Sequence, residues 1–118
     1  MKTILVVDDE VGSAEVLGLI LEEEGYRAFA AVNGRDGLEK ARELLPDLVI
    51  VDYMMPMMDG AEFVREMRRD PRLAHVKVVI NSGLPEAAIR ERFDAFDGFL
   101  RKPYVVDVLL MLIGKLLA

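Results

Sequence analysis

The run Leu48-Val49-Ile50-Val51, closed by Asp52 and followed by Met55-Pro56, constrains this chain more than any other stretch. An unbroken aliphatic run of that length reads as a short strand covered on both faces, as in a parallel sheet. Pro56 lacks an amide donor and biases Met55 towards extended or turn geometry, so the strand stops at Asp52. Its carboxylate therefore falls at the carboxyl end of a strand, on the rim where open parallel sheets bind ligands. A second run, Ile4-Leu5-Val6-Val7, ends in Asp8-Asp9-Glu10. If the two strands are parallel neighbours, Asp8, Asp9 and Asp52 converge on one rim. Three carboxylates there repel one another, which raises the pKa of at least one unless a cation is present. The arrangement suits a hard divalent ion with oxygen ligands. Mg2+ is the expected choice, because it keeps several waters and takes one or two carboxylates plus a phosphate. The alternative, that Asp8 and Asp9 only cap the following helix, stays open on the spacing alone.

The rest of the chain alternates strand and helix signals. Val11 to Glu24 carries Ala14, Leu17, Ile20 and Leu21 at helical spacing and stops at Gly25. Tyr26 to Val32 reads as a strand. Asn33 then caps a helix with Leu38, Ala41 and Leu45 inward, which Pro46 closes. After the Asp52 strand, Asp59 and Glu62 form a capping-box pattern ahead of a helix that faces Phe63 and Met67 inward. Asp70-Pro71 ends that helix. Val76 to Ile80 is a fourth strand, followed by Asn81-Ser82-Gly83. A short fourth helix begins near Pro85 and reaches about Phe93. Gly98 to Leu100 is a fifth strand, ending in Arg101-Lys102-Pro103, and Val105 to Ala118 is the last helix. Five strand–helix pairs predict an α/β fold: a doubly wound parallel sheet with helices on both faces, in a single domain spanning residues 1–118.

Composition excludes several classes. With 15 Lys and Arg against 21 Asp and Glu, the net charge of −6 disfavours direct nucleic-acid or anionic-membrane binding. There is no cysteine, so neither a disulfide framework nor a thiolate metal site is expected. Met1-Lys2 leads straight into a strand, which argues against a signal peptide, and the longest apolar run, Val108 to Ile113, is far below the roughly 20 residues of a membrane span. A cytoplasmic location is the expectation.

Four strand ends now share one rim: Asp8-Asp9, Asp52, Ser82 and Lys102. Val6-Val7-Asp8-Asp9-Glu10, Asp52 with Met55-Pro56 and Asp59-Gly60, Ser82-Gly83, and Lys102-Pro103 stand in the order and spacing of the receiver domain of two-component response regulators. The chain resembles that family along its whole length and is similar to the chemotaxis response regulator. The resemblance implies a flavodoxin-like fold with strand order 2-1-3-4-5. It implies that Asp52 is the phosphoacceptor, taking a phosphoryl group from a histidine kinase or histidine phosphotransfer protein. Asp9 would ligate Mg2+ directly, Asp8 largely through water, and Met54 through its backbone carbonyl. Lys102 would pair with Asp52 or the phosphoryl group, Ser82 would donate to a phosphoryl oxygen, and Phe99 would be the switch aromatic. Such a protein is a switch that catalyses only its own phosphorylation and dephosphorylation, not an enzyme with a separate substrate.

Some positions depart from the family pattern. Asn81 stands where an apolar residue is usual, with no evident reason. The segment from Ser82 to Lys102 is short, which predicts a reduced fourth helix. Met54 and Leu84 occupy the two variable positions flanking the phosphoryl group, and both are apolar, so slow loss of the acyl phosphate is expected. In the last helix, ten of the fourteen residues from Val105 to Ala118 are Val, Leu, Ile or Met, more than one buried face requires. In this family the face built from the fourth helix, fifth strand and fifth helix binds targets, output domains or a second receiver, so a homodimer is one expectation. A thickly packed helix end, or a chain continuing into a further domain, is the other. The Ser-Gly-Leu-Pro and Phe-Leu-Arg-Lys-Pro-Tyr stretches also look like receivers attached to hybrid kinases. His75 reads as a surface residue, not a phosphotransfer histidine. Two rival functions remain: a receiver-like interaction module that is never phosphorylated, and an aspartyl-phosphate hydrolase. The hydrolase needs an acid two residues after its nucleophile, where this chain has Met54.

Overall fold

The computed structural model describes all of residues 1–118. Strands β1 (Thr3–Val7), β2 (Arg27–Ala31), β3 (Leu48–Asp52), β4 (Lys77–Ser82) and β5 (Gly98–Arg101) alternate with helices α1 (Val11–Glu23), α2 (Gly34–Leu44), α3 (Gly60–Arg68), α4 (Glu86–Arg90) and α5 (Val106–Leu116). All pairings are parallel, in the order β2-β1-β3-β4-β5, as the family resemblance implies. A single 3-10 turn at Pro71–Leu73 leads into β4.

The two sheet faces bury two cores. Val49, Val51, Val78 and Ile80 pack with Leu38, Phe63 and Met67 on the side of α2 and α3. Ile4, Val6, Ile50 and Val79 pack with Leu17, Leu21, Leu109 and Ile113 on the side of α1 and α5. Every residue of β3 is buried, as the central strand of a doubly covered sheet must be. The register Asp52↔Asn81 and Asn81↔Leu100 aligns the carboxyl ends of β3, β4 and β5. Side chains alternate along a strand, so Asp52 and Asn81 share the α1/α5 face.

Local signals set the connections. Asn33 accepts from the Asp36 amide at 2.8 Å, and Asp59 from the Glu62 amide at 2.9 Å, so both caps stand where the sequence places them. Gly25 ends α1 with φ +93°, a conformation that favours glycine. Gly60 is required by space: a Cβ there would lie 2.9 Å from the Asp52 carbonyl oxygen and the Tyr53 Cα.

Three readings are corrected. Leu45 does not face inward; it is the left-handed C-cap of α2 (φ 49°) and is exposed, while Leu44 packs against the core. β4 runs through Asn81 and Ser82 instead of stopping at Ile80, because its backbone pairs with Asp52 on one side and Arg101 on the other. Helix α4 keeps only the five residues Glu86–Arg90, with Pro85 as its N-cap, and two further amides close turns onto Ile89.

Candidate functional site

The strand ends deliver the charged residues to one place. Asp8 follows the last residue of β1, and its amide donates to the Ala31 carbonyl at 3.1 Å. Its Oδ1 accepts from the Glu10 amide at 2.9 Å, which turns the chain into α1. Asp8 therefore does have the local structural task that the spacing left open, but only one of its oxygens is used. Asp9 beside it is exposed, whereas Asp8 and Asp52 are buried. Carboxylate oxygens of Asp8, Asp9 and Asp52 lie within 4.8 Å of one another.

Lys102 follows β5 and is anchored by its amide, which donates to the Ser82 carbonyl at 2.7 Å. Its Nζ lies 3.3 Å from Asp52 Oδ2 and 4.0 Å from Asp8 Oδ2. One cation thus faces three carboxylates. Burial pushes the Asp52 carboxyl above its ordinary value; Lys102 opposes that shift by its charge, and Asp8 and Asp9 add to it. The cluster carries uncompensated negative charge around oxygen ligands, and a divalent cation fits it. The site opens into a cleft of about 360 Å³ between the sheet and α1, lined among others by Ser13, Asp52, Asn81, Lys102 and Tyr104.

The remaining predicted residues are placed around this cluster. Ser82 is buried at the same rim, and its Oγ accepts from the Leu84 amide at 3.0 Å; it does not line the cleft. Phe99 is half-buried on the α2/α3 face, 6.2 Å from the Phe96 ring, which lies 5.7 Å from Phe93. Met54 projects an exposed side chain into a separate depression with Pro56, Asp59 and Arg92. Leu84 is also exposed. Sequence reasoning gave no role to Ser13, Asn81 or Tyr104. Asn81 did carry a signal, a polar residue one step before the end of an aliphatic strand. Ser13 and Tyr104 had none, because each reaches the cleft only through packing of α1 and the β5–α5 connection.

A family model described as the response regulator receiver domain matches residues 4–113. The chain belongs to the response regulator receiver family. It is 33% identical over 121 residues to the DNA-binding dual master transcriptional regulator RpaA of Synechocystis, covering 99% of this chain and 49% of that protein. It spans about half the length of the first curated relatives it matches. Among solved structures, the Vibrio cholerae chemotaxis protein CheY4 superposes with a TM-score of 0.93 at 26% identity, covering 98% of each chain. The Thermotoga maritima response regulator TrrA, solved in complex with Mg2+–BeF, superposes with a TM-score of 0.86 at 35% identity, covering 98% of this chain and 99% of that one. Receiver domains are signalling switches that bind Mg2+ at an acidic pocket, and this receiver presents an aspartate cluster of that kind. No helix is long and apolar enough to cross a membrane.

Proposed function

We propose that this receiver accepts a phosphoryl group on Asp52 from a histidine kinase or histidine phosphotransfer protein and changes conformation to control a partner or an output domain. The observation that carries this reading is the Asp8–Asp9–Asp52 cluster with Lys102 at 3.3 Å from Asp52, in a chain of the receiver family. An Asp52 carboxylate oxygen attacks phosphorus and forms the acyl phosphate. The P–N bond of a phosphohistidine, or the P–O bond of a small donor such as acetyl phosphate, breaks, and its electron pair leaves with the donor. Lys102 transfers its contact from the Asp52 carboxylate to the phosphoryl oxygens. Ser82, released from the Leu84 amide, donates its hydroxyl to one of them, and Phe99 moves with it. Asp8, Asp9, Asp52 and the Met54 backbone carbonyl are the groups that would hold Mg2+. When bound, Mg2+ supplies positive charge against the carboxylates and the incoming phosphoryl oxygens.

Two further points belong to this reading. On α5 only Leu109 and Ile113 are fully buried, while Val108, Met111 and the N-cap residue Val105 are exposed. That face, with α4 and β5, is the proposed contact for a target, an output domain or a second copy of the chain. The hydrolase reading is disfavoured by Met54, whose exposed thioether offers no proton where such an enzyme needs an acid.

Borohydride trapping tests the assignment. After incubation with acetyl phosphate and Mg2+, reduction of an acyl phosphate leaves homoserine at the modified residue. Homoserine at position 52 supports the reading; at any other aspartate, it moves the phosphoacceptor. No homoserine from a folded protein would favour the interaction module instead.

A further inference from the structure

Asn81 is an unusual occupant of a buried strand. It is 4% exposed, lines the cleft beside Asp52 and Lys102, and its Oδ1 is buried without a hydrogen-bond partner. Buried polar atoms rarely stay unpaired, and an orphaned one marks either a cost or a use. The register indicates a use. Asn81 pairs with Asp52 on β3 and with Leu100 on β5. Leu100 and Lys102 stand two residues apart at the end of β5, so by alternation Lys102 leaves the strand on the face that Asn81 and Asp52 share. To reach Asp52, the lysine side chain crosses β4 at Asn81. An ammonium has three N–H donors and no acceptor. The Asp52 carboxylate, at 3.3 Å, takes one of them, whereas the Asp8 carboxylate, at 4.0 Å, attracts the ammonium by charge without a hydrogen bond. Donors of the ammonium and the one orphaned acceptor of Asn81 thus lack a protein partner along the same wall of the cleft. Lys102 is partly exposed, so its ammonium is free to adjust towards the Asn81 oxygen.

We propose that Asn81 is a positioning residue for Lys102, its carboxamide oxygen supplying a second acceptor, beside the Asp52 carboxylate, for the ammonium that also faces Asp8. This rests on the reading that Lys102 serves phosphoryl transfer, and it explains why an amide occupies a place where the family pattern has an apolar side chain. The amide keeps the cation over Asp52 without adding a fourth negative charge to the cluster.

The chain contains only two side-chain carboxamides, Asn33 and Asn81, and no glutamine. Two NH2 pairs are therefore expected in the nitrogen–proton correlation spectrum. Without Mg2+ or a phosphodonor, Lys102→Met should displace the Asn81 pair and leave that of Asn33, whose oxygen is engaged by the Asp36 amide, in place. An unmoved Asn81 pair overturns the proposal. The second arm is a double-mutant cycle on the rate of phosphorylation by acetyl phosphate. Asn81→Val should slow it about 3- to 10-fold with Lys102 present, the range of an ordinary net hydrogen bond because the ammonium is partly solvated, and not at all in Lys102→Met. Asn81→Ser, which keeps an acceptor, should recover part of the loss. Equal slowing in both backgrounds overturns the proposal, because it shows Asn81 acting independently of the lysine. If the wild-type protein is not phosphorylated, the proposed function fails, while the carboxamide spectrum still decides the role of Asn81.

Discussion

Asp52 is held under electrostatic strain, and its protonation makes that measurable. Burial, with Asp8 and Asp9 nearby, raises its pKa in the folded protein despite Lys102. The folded state therefore holds this proton to higher pH than the unfolded chain does. Stability from this group is present below its ordinary value of 3.8 and is lost as pH rises through the raised value. Asp52→Asn should thus melt above the wild type at neutral pH, by roughly 2–6 °C for a domain of this size, with the gap closing below pH 3.8. A neutral-pH melting temperature equal to or below that of the wild type would contradict this. Millimolar Mg2+ should raise the melting temperature of the wild type and do much less for Asp9→Asn, since only a folded cluster gathers the carboxylates. The flanks of the site make a kinetic prediction. Met54 and Leu84 offer no group to orient an attacking water, so polar residues at both positions should speed loss of the acyl phosphate. An unchanged decay in a chase after removing the donor would sink the idea.

At the scale of elements, the β3–α3 connection sets the site's position. The Gly60 amide donates to the Tyr53 carbonyl at 2.8 Å, and the Gly60 Cα packs against the backbone of Asp52. Gly60→Ala forces a Cβ into that backbone, and such overpacking should cost about 1–3 kcal/mol in denaturant unfolding. It should also weaken Mg2+ binding, because Asp52 moves with its carbonyl. Unaltered stability and Mg2+ affinity would show that the connection has slack. The elements differ in how far their sequences reveal them. β1, β3 and the caps at Asn33 and Asp59 follow from aliphatic runs and short polar side chains, whose physics is local. The end of β4 does not, because Asn81 and Ser82 are drawn into the strand by pairing with neighbours distant in the chain. Leu45 misleads for a related reason. Its apolar side chain suits a helix face, but Pro46 forces the chain to turn there, and the left-handed cap faces solvent. Helix α4 shortens because the segment between Ser82 and Gly98 must also supply Phe93 and Phe96, whose rings line up with Phe99 of β5.

At the scale of the molecule, four strand ends meet only because the chain folds as a parallel sheet of one order. The position of Asp8, Asp9, Asp52 and Lys102 was legible in the sequence through their family spacing. The cleft between the sheet and α1 was not, because it depends on how Ser13 and Tyr104 pack across it. The outer face of α5 carries a prediction at this scale. Val108 and Met111 leave apolar surface in water, so sedimentation should show concentration-dependent dimers that strengthen with phosphorylation, and Val108→Asp with Met111→Asp should remove them. A monomer at high concentration in both states would assign that face to a different partner.

The proposed uptake of a phosphoryl group by Asp52 depends on a metal-binding aspartate cluster. The most direct measurement is intact mass after incubation with acetyl phosphate, with and without Mg2+, for the wild type and Asp52→Asn. The expected result is a gain of one phosphoryl group that requires Mg2+ and disappears in the variant. No gain in a folded wild-type protein, or an equal gain in Asp52→Asn, would contradict it.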